Sequence, residues 1–201
     1  MRIAMNAARP TPRAAKGTLP ARAARWLACG AVLLLFLAGT TGRAATVDEN
    51  DLKAAFLYNF TKFVEWPADA FASSNAPIRF AVFGDEEFGA RLKLRLNDKK
   101  AHGRSFEVVT INNAQEAKDF HIVFVPGVAD GRRAIPVLEA TNKRPVLTIG
   151  ESEEFLGLGG MISLFFDEAQ LAFEVNAQAA QKAGLEISSK LLRLAKKRRA
   201  K

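Results

Sequence analysis

Five residues, Gly150-Glu151-Ser152-Glu153-Glu154, come nearest to a nucleophile motif in this 201-residue chain. A nucleophile elbow holds its serine between two glycines on a strand-to-helix turn and needs a histidine later in the chain. Here the fifth position is Glu154, and both histidines, His102 and His121, precede Ser152. The stretch reads as a polar turn capping a short helix. Gly157-Leu158-Gly159-Gly160-Met161-Ile162 begins like a dinucleotide loop, but its sixth position is Ile162 and it leads into a strand pattern. A tight turn needing positive φ accounts for it. Asp85-Glu86-Glu87 and Glu153-Glu154 are sequence neighbours at expected helix starts, unlike glycosidase carboxylates facing across a substrate. No catalytic residue, metal ligand set or cofactor site emerges, so an enzyme is not expected.

Two polar residues carry more information. His121 opens the apolar run His121–Val125 and reads as a hydrogen-bonded core imidazole, with a ligand role as the alternative. Asn59 falls in the middle of the apolar arc formed by positions 52, 55, 56, 60 and 63 on a helical wheel. A buried carboxamide must find partners or cost a few kcal/mol. Asn59 is therefore expected to bond the backbone of a neighbouring loop, with ligand contact as the alternative. Asn59-Phe60-Thr61 also matches a glycosylation sequon, which mid-helix is read as coincidence.

The elements that position these residues alternate. Asp51 to Trp66 has helical apolar spacing, with Asp48 as a cap and Pro67 as a stop. Ile78–Phe83 and Phe106–Ile111 read as strands, separated by a helix from Asp85 to about Asn97 whose acidic first turn suits the macrodipole. His121–Val125 is apolar on both faces, as in a covered central strand. A helix over 130–140 and a strand at Pro145–Ile149 follow. Met161–Phe166 and Gln170–Val175 flank Asp167-Glu168-Ala169 as a hairpin, followed by a helix over 177–183 and another from Ser188. The pattern predicts an α/β fold: a single domain over 45–195, its mixed β-sheet flanked by helices, with a C-terminal β-hairpin followed by helices.

Charge is distributed unevenly. Seven of the 29 basic residues lie in 1–44 without one acid, and five more crowd the basic tail 196–201. Positions 45–195 hold 17 basic residues against 21 acidic, a net of −4 that argues against a nucleic-acid groove. The N-terminal stretch has a basic segment, an apolar run from Trp26 to Ala38, and Gly42 and Ala44 before Ala45. This is the pattern of a secretory signal peptide over 1–44, cleaved near Ala44, and the apolar run is too short for a membrane span. The 157 residues that remain contain no cysteine, since the single one is Cys29. Such a length can bury roughly 70 per cent of its unfolded surface and needs no disulfide.

Specific strings add to this reading. Lys53 to Pro67 (KAAFLYNFTKFVEWP) closely resembles the opening motif of the YfiR-like family of periplasmic proteins. Gly159-Gly160-Met161-Ile162, Phe173-Glu174-Val175-Asn176 and Ala183 to Ala195 match its end, with Phe80–Asp85 and His121–Phe124 between. The resemblance implies a periplasmic, non-enzymatic repressor that binds the periplasmic part of a transmembrane diguanylate cyclase. It would thereby lower cyclic di-GMP and biofilm formation. It also implies, in some systems, capture by a peptidoglycan-anchored outer-membrane lipoprotein. A homodimer is a further partner expectation, and no nucleic acid is expected. Members of the family can carry a cysteine just before the matching histidine; this chain has Phe120 there.

Candidate partner contacts are Tyr58 and Trp66 on the first helix, and Phe155, Leu156 and Leu158 beside glycines. The latter three read equally as an exposed ridge or as lids on the core. The basic tail reads as a solvated helix end or as a contact with anionic lipid. A periplasmic small-molecule sensor without a fixed cyclase partner is the alternative function, and a deep pocket lined by Asn59, Tyr58 or His121 would favour it.

Overall fold

The computed structural model describes residues 48–127 and 131–197. The expected signal peptide, the first residue of the helix over 130–140 and the end of the basic tail lie outside the described residues. In chain order the elements are α1 Glu49–Thr61, β1 Val64–Glu65, β2 Ile78–Phe83, α2 Glu86–Leu96, β3 Phe106–Ile111 and β4 Ile122–Val125. After them come α3 Ile135–Ala140, β5 Leu147–Gly150, β6 Ile162–Asp167, β7 Gln170–Val175, α4 Ala177–Lys182, β8 Glu186–Ile187 and α5 Ser189–Leu194. Short 3-10 helices occupy Ala68–Ala70, Ala114–Asp119 and Gly131–Ala134.

Six strands form one mixed sheet in the order β3-β2-β4-β5-β6-β7. β3 through β6 run parallel to their neighbours, and β7 returns antiparallel to β6. Alternating residues of the central strands feed two cores. Phe80, Val82, Ile122, Phe124, Leu147 and Ile149 face the larger one, with Leu57 and Phe60 of α1 and Leu92 and Leu96 of α2. Ala81, Val123 and Val125 face the other, with Ala117, Val137 and Phe155. A sheet covered on both faces explains why β4 shows no polar alternation. The α/β fold, with its mixed sheet flanked by helices and its C-terminal hairpin and helices, agrees with the sequence pattern. The hairpin turn is tight: Glu168 and Ala169 both have positive φ, at 49° and 67°, the two-residue geometry that matches strand twist.

The first helix departs from expectation. It stops at Thr61 and not at Trp66, and Thr61 Oγ1 donates back to the Tyr58 carbonyl at 2.6 Å. His102 Nε2 bonds the Thr61 carbonyl at 2.8 Å, one of the terminal acceptors a helix leaves open. Val64 and Glu65 then pair antiparallel with Ile187 and Glu186, so tertiary pairing overrides the helical spacing. The buried face is Ala54, Leu57, Phe60 and Thr61. Asn59 is exposed, and its Oδ1 accepts from Lys62 Nζ at 3.2 Å. The expected buried carboxamide is therefore corrected: with the arc rotated, water solvates Asn59 and no loop bond is needed.

The segment after β5 also departs. Glu151–Gly159 forms turns with no helix to cap, and its first two residues are buried. Phe155 is fully buried between Gly150 and Gly160, where an added Cβ would lie 2.3 Å and 2.2 Å from its ring. Of the three ridge candidates Phe155 is thus a core plug, Leu156 is half-buried and Leu158 is 41% exposed.

Candidate functional site

The KAAFLYNFTKFVEWP stretch and the residues folded against it build two half-exposed aromatic groups, one around Tyr58 and one around Trp66. Tyr58 lies edge-on to Phe106, ring centroids 5.9 Å apart, and its hydroxyl donates to the Lys100 carbonyl at 3.2 Å. Lys62 sits 4.0 Å above the Tyr58 ring. Farther along, Trp66 Nε1 donates to the His121 carbonyl at 3.2 Å, and Trp66 meets Phe71 edge-on at 6.4 Å. Phe71 is held between two partners: the His121 ring is stacked at 4.3 Å, and the Arg104 guanidinium lies 3.8 Å from its centroid. Arg104 is fixed in turn by the Ser73 and Ala76 carbonyls at 2.9 and 2.7 Å. Arg79 covers Phe120 at 4.7 Å.

His121 is the hub. The Arg79 backbone N–H donates to its Nδ1 at 2.9 Å, and its Nε2 bonds the Ala70 carbonyl at 3.0 Å. One nitrogen accepting and the other facing a carbonyl define a neutral imidazole with its proton on Nε2. Burial holds its pKa below the ordinary value of 6.5; the Ala70 bond opposes that shift, and the charges of Arg79 and Arg104 add to it. His121 is the hydrogen-bonded buried residue that its apolar run implies, although it precedes β4 instead of lying within it.

A cleft of about 310 Å³ opens here, lined by Glu65, Trp66, Ala68, Phe71, Ile78, His102 and Arg104. Its wall is aromatic and cationic, with one carboxylate. Trp, Tyr and Arg are the residue types that dominate binding hot spots. The fold thus joins Trp66 and His121 through Phe71, while Tyr58 pairs separately with Phe106. It does not bring Leu156 or Leu158 into this cleft; Leu158 lines another one, with Ile135, Leu138, Thr148 and Met161.

At the carboxyl ends of β4 and β5 lies a charged group that the sequence did not reveal. Glu151 is 5% exposed, and its Oε1 is 2.6 Å from Lys53 Nζ while its Oε2 accepts from the Gly127 N–H at 2.7 Å. Lys53 also pairs with Glu49 at 2.7 Å. Burial alone would push the Lys53 ammonium down, but Glu151 and Glu49 outweigh it and hold its pKa above the usual lysine range. Nothing in the sequence signals this pair: Lys53 stands outside the apolar arc of its helix and Glu151 stands in a polar turn. Neighbouring Ser152 is buried, with its Oγ unpaired, and no histidine approaches it among the described contacts. No group of three or more His, Cys, Asp or Glu able to hold a metal occurs among the described residues. No helix there is long and apolar enough to cross a membrane.

The family model described as YfiR/HmsC-like matches residues 50–196, which spans both aromatic groups and the Lys53–Glu151 pair. The chain belongs to the YfiR/HmsC-like family. Its members are known as periplasmic regulators of diguanylate cyclases, a regulatory and not a catalytic family. Every string that carried the resemblance falls within the matched range.

Proposed function

We propose that this protein is a non-enzymatic periplasmic repressor that binds the periplasmic part of a transmembrane diguanylate cyclase and holds it inactive. Lower cyclic di-GMP and less biofilm would follow. The family match over residues 50–196 carries this reading. The aromatic groups around Tyr58 and Trp66 support it, because their rings are anchored by hydrogen bonds and overlaid by cations before any partner arrives. Preorganised aromatic anchors reduce the ordering cost of association. In this reading Tyr58 and Trp66 touch the cyclase, Leu156 and Leu158 form a second contact, and Phe155 serves packing. Residues 1–44 direct export and are cleaved near Ala44. A peptidoglycan-anchored lipoprotein and a second copy of the chain are further partners in the proposal.

Deleting the gene in a host that expresses the cognate cyclase should raise cyclic di-GMP, and the mature protein should capture the isolated periplasmic domain of that cyclase. Unchanged cyclic di-GMP together with no capture would refute the reading. The cleft of about 310 Å³ favours a small ligand as a second reading. It is lined by Trp66, Phe71, His102 and Arg104, and not by Asn59, Tyr58 or His121, whose pocket was the sequence criterion for that alternative.

A further inference from the structure

Six large apolar side chains stand exposed among the described residues: Leu94, Val109, Leu158, Phe166, Leu192 and Leu194. The last three belong to the β6–β7 hairpin and to α5, which the chain ties together. The Lys196 N–H donates to the Phe173 carbonyl on the open edge of β7 at 2.9 Å, and Lys196 Nζ lies 3.7 Å from Asp167 Oδ2, next to Phe166. Leu191 anchors α5 in the core, leaving Leu192 and Leu194 38% and 59% exposed.

The charge on the same segment is of one sign. Residues 187–201 hold seven basic side chains (Lys190, Arg193, Lys196, Lys197, Arg198, Arg199 and Lys201) and no acid, in a chain whose 45–195 body is net negative. Lys190, Arg193, Lys196 and Lys197 are exposed. Among the described ion pairs Asp167 is the only carboxylate that meets any of them. Basic side chains interleaved with solvent-facing leucines are the composition of an interfacial anchor: cations for lipid phosphates, apolar side chains for the acyl boundary. A purely polyanionic partner, such as a nucleic acid, would use the charges and leave Leu192, Leu194 and Phe166 without a role.

We propose that α5, Lys196 and Lys197 beyond it, and the hairpin side chain Phe166 form a peripheral docking surface for an anionic lipid bilayer. The proposal concerns lipid alone and does not depend on the cyclase reading. Its test is sedimentation of the mature chain with vesicles of phosphatidylcholine, with or without phosphatidylglycerol. Binding is expected only with phosphatidylglycerol, and it should weaken as salt rises past the range where the screening length is about 10 Å. Lys197→Ser should lower the partition coefficient about fivefold, the effect of one basic residue near a charged membrane. Leu194→Ser should lower it without changing the salt dependence, and circular dichroism should show both variants folded. No binding to phosphatidylglycerol vesicles, or equal binding to both lipids, would overturn the proposal. So would a Leu194→Ser variant that binds like the parent, since the site would then be a simple polyanion contact.

Discussion

Lys53→Met is the most informative single change in this protein. Lys53 Nζ is shared between Glu49 at 2.7 Å and Glu151 at 2.6 Å. Glu49 keeps 58% of its side-chain exposure and can be solvated when the ammonium goes; Glu151, at 5%, cannot. Its other partner among the described residues is the Gly127 N–H at 2.7 Å. Removing one member of a buried pair costs about 3–5 kcal/mol because the remaining charge is stranded. The Gly127 bond and the retained packing of the methionine stem place this case near the lower figure, about 3 kcal/mol. In a domain of this size each kcal/mol moves Tm by about 2–4 °C, so a drop of about 6–12 °C is expected. Glu151→Gln should cost only about 1 kcal/mol, since the amide oxygen still takes the Gly127 N–H and Lys53 still has Glu49. The double variant strands no charge, so it should be no worse than Lys53→Met alone, with a coupling of about 1 kcal/mol or more between the two sites. Urea unfolding followed by circular dichroism measures all three. A loss below about 1 kcal/mol in Lys53→Met, or a double variant less stable than the two single losses added together, would show that the pair does not hold the loop.

Acid should weaken the fold through His121. Its folded pKa lies below the unfolded value of 6.5, so the unfolded chain takes up the proton first. Stability then falls as pH drops below 6.5, by at most about 1.4 kcal/mol per unit, until the folded imidazole is also protonated. Denaturant midpoints taken across that window check it, and a His121→Gln variant should lose the slope. Phe155→Ala should cost about 3–5 kcal/mol by thermal unfolding, as a large buried ring leaving a cavity does. Leu158→Ser, by contrast, should stay within about 0.5 kcal/mol of the parent while weakening capture of the cyclase domain. Lys62→Glu should likewise spare the melting temperature and reduce capture, and unchanged capture would remove this face from the interface.

Much of the fold was legible because the strands carry their own signature. The run Ile122–Val125 has no polar side to expose, which is the mark of a strand covered on both faces, and Ile78–Phe83 is broken only by Arg79. The hairpin, the Asp48 cap, the acidic helix start at Asp85 and Ser188 as the start of the last helix all follow from local chemistry and are present. What failed depended on distant partners. Nothing near Thr61 announces that His102 will cap its carbonyl or that Ile187 will pair with Val64. The helix packs on its Ala54, Leu57 and Phe60 side, which leaves Asn59 in water. The Lys53–Glu151 pair was hidden for the same reason: its members lie 98 positions apart, and each reads as a surface charge where it stands. The 3-10 turn at Ala114–Asp119 has no apolar period to betray it.

The motif that carries the family resemblance is mainly a folding device, and this bears on where a partner can be discriminated. Leu57, Phe60, Thr61 and Val64 are buried, and Trp66 spends its N–H on the His121 carbonyl. Exchanging any of these lowers the folded population, and so lowers every interaction together. The same stretch leaves Asn59, Lys62 and Glu65 exposed, with Lys62 laid over Tyr58 and Glu65 on the rim of the Trp66 cleft. Changes of charge there alter the surface without altering the core beneath it. A regulator that favours one state of its target needs a difference in contact energy between states, not a reactive group. In this chain that difference is supplied most economically by the exposed charges around a rigid aromatic base, while the buried half of the motif keeps the base in place.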